Sequence, residues 1–331
     1  MNEPADDDGF HTRHQAIALI EAARDPGTLF GTGQFGTEPR RTYRRLARLT
    51  HPDANPGSDR ADAAFARLAD LWKQWQGLPG PLIARGDIAN LYEHDRGLLK
   101  LARHPADNDL LDREAAALTR LRTAGDKRFL PYIPTLMERQ RHQDPATRAE
   151  RMANLISRQN GFVALSEIKT AYPAGLDPRD AAWMWRRLLV AIGFAHQAGV
   201  IHAAVLPDHV LIHPAEHGLV LVDWCYAITE PGERLAAVPA KYADWYPPEV
   251  SRGLPPGPDL DIWLAARSMT DLMGDLTPRP LAAFARGCML PGPAARPHDA
   301  WQLLSELDAV LERLYGPRRF RPFVMPTQGS N

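Results

Sequence analysis

The first question is posed by the ionisable side chains between Val200 and Ala227. This stretch reads VIHAAVLPDHVLIHPAEHGLVLVDWCYA and carries His202, Asp208, His209, Glu216 and Asp223. Carboxylates and imidazoles can move protons or hold cations, whereas Ala203 and Ala204 have no side chain that can take or give a proton. The elements that must position these groups are legible on both sides. Upstream, Trp185, Leu188, Leu189 and Ile192 recur at helical spacing, and the helix is expected to end near Gly199 in a left-handed cap. Downstream, Val210 to Ile212 and Leu219 to Val222 are β-rich apolar runs flanking a tight connection at His217-Gly218. They predict a hairpin with Asp223 at its exit.

Helix, loop, hairpin and terminal Asp in this order resemble the catalytic loop and metal-binding segment of protein kinases, His-Arg-Asp-Leu-Lys-Pro-Glu-Asn followed by Asp-Phe-Gly. On that pattern His202, Pro207 and Asp223 stand at the His, the Pro and the first metal-ligating Asp. The departures fall on the chemistry. Ala203 replaces the Arg, Ala204 the proton-accepting Asp, Leu206 the Lys, and His209 the Asn that holds a second magnesium ion; Trp224-Cys225 replaces Phe-Gly. General-base catalysis is typically worth about 10²–10⁴ in rate. The resemblance therefore implies a kinase-like domain whose catalysis is lost at Ala204 and His209.

That resemblance covers residues 82–315 and implies a β-rich N-lobe and an α-helical C-lobe. In LIARGDIANLY only Gly86 matches a glycine of the phosphate-covering loop; Ala84 and Ala89 fill the other two places, so phosphate cradling is expected to be weaker. Lys100 stands at the phosphate-binding Lys and Glu114 at its ion-pair partner. Gly86, Lys100, Glu114 and Asp223 are thus the implied nucleotide-binding residues, with ATP as ligand. Asp223 with His209 is the implied metal pair, weak for magnesium because that ion prefers oxygen to imidazole. Four positions carry implied structural roles. They are His202; Asp261, the buried Asp that holds the catalytic-loop backbone; and Glu249 with its partner Arg296. The polar segment 139–151 reads as a loop, 154–162 as a strand and hinge, and 165–172 as a short helix.

Toward the N-terminus, Thr12 to Ala23 reads as a helix and 31–36 as a glycine-rich bend. A basic helix over 39–50, with Arg40, Arg41, Arg44, Arg45 and Arg48 beside Tyr43, Leu46, Ala47 and Leu49, ends at His51-Pro52-Asp53. A third helix, 60–75, carries Ala64, Phe65, Leu68, Leu71 and Trp72 at helical spacing. Over residues 10–77 this resembles the J-domain of DnaJ-family co-chaperones. The resemblance implies a DnaK-type chaperone as partner, engaged by His51, Pro52 and Asp53 and steered by Arg44, Arg45 and Arg48. The expected architecture is therefore α+β: a three-helix J-domain, then a two-lobed kinase-like domain. Residues 1–9 read as a disordered acidic tail, 78–81 as a linker and 316–331 as a C-terminal tail.

Composition narrows the function classes. Lys plus Arg (39) nearly balances Asp plus Glu (40), so no global field favours nucleic acid. The two cysteines, Cys225 and Cys288, have neither a disulfide framework nor metal-ligand spacing and fit a reducing cytoplasm. No apolar run is long enough for a membrane span, and the acidic N-terminus is unlike a signal peptide. The expectation is a cytoplasmic, non-enzymatic co-chaperone or adaptor, whose pseudokinase lobe binds an unidentified client or regulatory protein or senses nucleotide. The alternative is an atypical ATP-dependent transferase that moves a phosphoryl or adenylyl group to a protein, with Asp208 or Glu216 replacing the missing base.

Overall fold

The computed structural model describes residues 12–24, 26–30, 39–77, 80–143 and 149–326. The expected acidic tail at 1–9, the glycine-rich bend at 31–36 and linker positions 78–79 lie outside the described residues. The chain divides into two compact units, 1–80 and 81–331.

The first unit is helical: α1 (Arg13–Ala22), α2 (Pro26–Phe30), α3 (Pro39–Thr50) and α4 (Asp59–Gly77). Thr12 caps α1 in a reciprocal box with Gln15, which satisfies two backbone donors at the helix start. At its other end, Arg67 of α4 donates to the carbonyls of Ile20 (3.0 Å) and Ala23 (2.5 Å). Asn55 does the same for α3, donating to Leu49 and His51 at 3.0 and 2.9 Å. Ile20, Leu46 and Leu68 form a core with no solvent exposure. The count of three helices is corrected by α2. Five residues are too few to display a helical period, and this turn forms because Leu29 and Phe30 bury, Phe30 meeting Trp72 edge-to-face at 5.1 Å.

The second unit begins with β1 (Leu82–Arg85), β2 (Ala89–His94), β3 (Gly97–Ala102), α5 (Asn108–Ala124), β4 (Leu136–Gln143) and β5 (Glu150–Ile156). The strands form one antiparallel sheet in the order β1-β2-β3-β5-β4. Here the expected loop at 139–151 is corrected, because most of it is β4 and the start of β5. Its polar composition hid the strand: β4 is an edge strand with most side chains in water, held by its pairing with β5 rather than by a buried face. Residues 144–148 lie outside the described residues.

The helical lobe follows, with β6 (Val163–Ala164), α6 (Leu165–Ala171), α7 (Pro178–Gln197), β7 (Val210–His213) and β8 (Gly218–Leu221). It continues through α8 (Pro248–Ser251), α9 (Asp259–Met273), α10 (Arg279–Cys288) and α11 (Ala300–Tyr315). The helix α7 starts at the Asp177 cap and Pro178, buries Trp185, Leu188, Leu189 and Ile192, and is followed by Gly199 at φ +71°. Strands β7 and β8 form the hairpin, but Gly218 belongs to β8, opposite His213, and the turn is 214–217. His217 closes that turn in the left-handed region at φ +52°. Residues 316–326 of the tail fold back on the lobe. Phe323 is buried, Tyr172 Oη donates to the Val324 carbonyl at 3.0 Å, and Arg321 lies 3.1 Å from both Asp177 and Asp180. Among the described residues no helix is long and apolar enough to cross a membrane.

Candidate active site

Lys100 lies on β3 opposite Asn154 of β5, so the sheet register sets its position. Its ammonium donates to Glu114 Oε1 at 2.9 Å, Asp223 Oδ1 at 2.5 Å and Cys225 Sγ at 3.1 Å. Glu114 comes from α5 and is fully buried; its other oxygen accepts from Asn154 Nδ2 at 3.0 Å. Burial alone would push the Lys100 amine down, but the Asp223 and Glu114 carboxylates outweigh it and hold it well above its usual value. Burial would likewise raise Asp223, yet Lys100 and His209 keep it well below the ordinary carboxylate range. Ligand atoms of Glu114, Asp223 and Cys225 all lie within 4.8 Å of one another, a grouping that could hold a metal, and the ammonium takes the cation's place among them.

Asp223 follows β8 with φ +64°, a left-handed conformation that costs a non-glycine residue roughly 1 kcal/mol or more. The surrounding packing holds it there. Trp224 is fully buried and donates from Nε1 to the Leu221 carbonyl at 2.8 Å. His209 reaches Asp223 Oδ2 through Nε2 at 3.2 Å and the Ala204 carbonyl through Nδ1 at 2.9 Å. Both ring nitrogens thus meet acceptors, and although burial would lower the imidazole, the Asp223 carboxylate and the Ala204 carbonyl hold it above its usual value, so a metal ion at Nε2 would have to displace a proton. One carboxylate and one imidazole are a poor donor set for magnesium, which prefers oxygen.

The loop between α7 and β7 hangs on Asp261 of α9. Asp261 Oδ2 accepts from the His202 backbone N–H at 2.8 Å and Oδ1 from Ala203 at 2.7 Å; His196 Nε2 lies 2.9 Å from Oδ2. Ala203, like Asp223, has φ +64°. His202 is fully buried, its Nδ1 accepting from the Ala204 N–H at 3.2 Å and its Nε2 lying 3.0 Å from the Val222 carbonyl. That arrangement uses the neutral imidazole, and burial pushes its pKa from 6.5 down to about 4 despite the opposing Asp261 charge. Between these values the unfolded chain takes up a proton that the folded one refuses. Stability of this unit should therefore fall by roughly 3 kcal/mol as pH drops through that window, being fully present above it. Urea unfolding across the window reads this loss, and His202→Gln should flatten the slope by about one proton's worth.

Neither alternative base is free for the role. Asp208 Oδ2 accepts from Lys241 at 2.7 Å; burial would raise this carboxyl, but bonds from Lys241 and Ser166 hold it below its usual value, which makes it a poor proton acceptor. Glu216 is exposed on the hairpin turn, at the opposite end of the hairpin from Asp223. Gly86 forms the β1–β2 turn, where a Cβ would meet the Ala89 carbonyl oxygen at 2.7 Å. Arg296 is fully buried and bonds both Glu249 carboxylate oxygens, with Asp259 at 3.0 Å as a further partner. In the first unit His51, Pro52 and Asp53 are exposed after α3. The Asp53 N–H donates to His51 Nδ1 at 3.2 Å, and the His51 ring lies edge-on to Phe65 at 5.1 Å. Arg44 and Arg48 are exposed on α3, and Arg45 is half-buried.

Residue reasoning missed Asn154, Cys225 and Asp259 as partners of these groups. Asn154 carries a readable signal, a polar residue inside the apolar run MANLI; Cys225 and Asp259 have none, since only folding brings them to Lys100 and Arg296.

No family model matches the chain. Curated proteins are similar over parts of it: sperm motility kinase Z of Mus musculus is 39% identical over 87 residues, 25% of this chain and 17% of that protein. Casein kinase II subunit alpha' of Saccharomyces cerevisiae is 36% identical over 58 residues, 18% of this chain and 17% of that protein. Serine/threonine-protein kinase PkaB of Streptomyces coelicolor is 32% identical over 145 residues, 39% of this chain and 34% of that protein. The chain thus spans about a third or less of the length of these relatives. Among solved structures, the BubR1 kinase domain matches with a TM-score of 0.54 at 15% identity, over 70% of this chain and 79% of that one. These findings overturn the expectation of a non-enzyme, because the relatives are named protein kinases and the fold matches a kinase domain. The physical reason is that phosphoryl transfer rests chiefly on positioning and electrostatics, so the loss of one base removes a factor rather than the whole rate. The chain contains a protein-kinase-like domain with a β-sheet lobe and a helical lobe.

Proposed function

We propose that residues 81–331 form an atypical ATP-dependent transferase that moves a phosphoryl or adenylyl group to a protein. The observation that carries this reading is the Lys100 ammonium held between Glu114 and Asp223 at 2.9 and 2.5 Å. In that place Lys100 neutralises nucleotide phosphate, and Glu114 keeps it extended from the sheet. Asp223 with His209 would hold a divalent ion, which supplies charge neutralisation at the phosphates when bound. Deprotonation of the acceptor lacks a dedicated side chain at Ala204. Turnover is expected to be about 10²–10⁴ below that of a site with a general base. The test incubates the protein with a protein acceptor and ATP labelled at either the α or the γ position, in manganese or magnesium. Label incorporation that Asp223→Ala removes supports the reading, and its absence with both labels sinks it; the labelled position separates adenylyl from phosphoryl transfer.

We further propose that the first unit is a J-domain that recruits a DnaK-type chaperone, placing the transferase near chaperone-bound protein. What supports this is the exposed His51-Pro52-Asp53 turn closing a helix whose exposed face carries Arg44 and Arg48. Stimulation of DnaK ATPase by the whole protein, lost in His51→Gln while its melting temperature stays unchanged, is the expected result. An unstimulated ATPase rules the recruitment out.

A further inference from the structure

Apart from the site at Lys100, residues 81–331 form a half-open cavity of about 770 Å³ between α7, α11, the β7–β8 turn and the returning tail. Its lining is rich in hydrogen-bond donors. Five arginines line it beside Asp308 and Glu312, with Asp177 and Asp180 as further counter-charges, so the positive charge is only partly neutralised. Arg186 pairs with Asp308, Arg321 with Asp177 and Asp180, and Arg179 with Asp177 at 3.7 Å. Arg318 and Arg319, both exposed on the tail, have no ion-pair partner among the described residues. The crowding is felt by Arg186: burial first, then the neighbouring Arg318 and Arg187 guanidiniums, push it below its ordinary value.

Buried ring nitrogens without partners add a second, independent observation. His217 is 9% exposed, and its Nε2 is buried with no hydrogen-bond partner; the same holds for Trp183 Nε1. Leaving such groups unpaired costs about 1–3 kcal/mol each; the Trp183 N–H calls for an acceptor, whereas His217 Nε2 donates or accepts according to its tautomer. Packing fixes both rings in advance. Trp183 and His217 stack in parallel at 4.0 Å and 6°, and Phe320 of the tail covers His217 at 4.6 Å. The backbone of His217 sits at φ +52°, an uncommon conformation for a non-glycine residue, and its ring is held between Trp183 and Phe320.

Guanidinium forks and an indole N–H together ask for a ligand made mostly of acceptor oxygens carrying negative charge. Phosphoryl groups meet that demand, since arginine binds them through two parallel hydrogen bonds. The volume is in the range of small-molecule sites and exceeds what one phosphate needs, given that a water occupies about 30 Å³. We propose that this cavity is a binding site for a small polyphosphate-bearing anion, separate from the site at Lys100.

The test is calorimetric titration of the whole protein with inorganic tripolyphosphate and, separately, with inorganic phosphate. One tripolyphosphate is expected to bind, more tightly than phosphate. The double variant Arg318→Gln/Arg319→Gln should weaken it by about tenfold or more, and its melting temperature should not change because both side chains are exposed. Trp183→Phe keeps the ring, removes the donor and should weaken it by about threefold or more. Absence of binding, affinity unchanged in the double variant, or equal affinity for phosphate and tripolyphosphate would each overturn the proposal. So would binding seen only with anionic phospholipid vesicles or a phosphopeptide.

Discussion

Replacing Lys100 with Met should lower Asp223-dependent label incorporation by about 10²–10³-fold, the usual cost of removing a preorganised electrostatic group. It should also destabilise residues 81–331 by about 3–5 kcal/mol, because the substitution strands two carboxylates that now share one ammonium. Glu114 suffers most, being fully buried and keeping only the Asn154 amide as a donor. At the size of this unit the loss corresponds to a fall in melting temperature of roughly 10 °C. A double variant, Lys100→Met with Glu114→Gln, should recover much of the stability and none of the transfer. Neutral Gln no longer needs a cation, but nothing replaces the ammonium toward phosphate. Unchanged incorporation in Lys100→Met would remove Lys100 from the proposed mechanism; unchanged melting would show that the pair is not a stabilising element.

The second large effect concerns a residue far along the chain from any proposed chemistry. Arg296→Met is expected to destabilise the same unit by about 3–5 kcal/mol, read as a shifted urea midpoint at constant slope. Arg296 is fully buried between Glu249 and Asp259, and its guanidinium also lies 4.5 Å from the centre of the Trp263 ring. Removing it leaves two nearly buried carboxylates without a counter-charge. Arg296→Lys should lose less, yet still measurably, because a single ammonium cannot bond both Glu249 oxygens in the planar fork that Arg makes. A midpoint unmoved by Arg296→Met would mean that Glu249 and Asp259 are hydrated in solution.

The two substitutions also mark what could be read before folding. Lys100, Glu114, Asp223, Glu249, Asp261 and Arg296 were all found from their place in a resemblance, and the structure brings Lys100 to Glu114 and Asp223, and Arg296 to Glu249. Helix ends at Thr12 and Gly199 were legible because caps and left-handed glycines act over a few residues. By contrast β4 was read as loop, since an edge strand of charged residues owes its conformation to a partner strand and not to its own pattern.

Local chemistry in the sequence thus determined the helix–loop–hairpin order around Val200 to Ala227, the absence of a proton acceptor at Ala204 and the identity of the ionic groups. Only the tertiary structure decided that Asn154 and Cys225 meet Glu114 and Lys100, and that Lys241 occupies Asp208. It likewise decided that the tail, which the sequence left without a role, forms one wall of an arginine-lined cavity beside His217. Each of those contacts joins residues from different elements, so its distance is set by sheet register and helix packing rather than by any spacing along the chain.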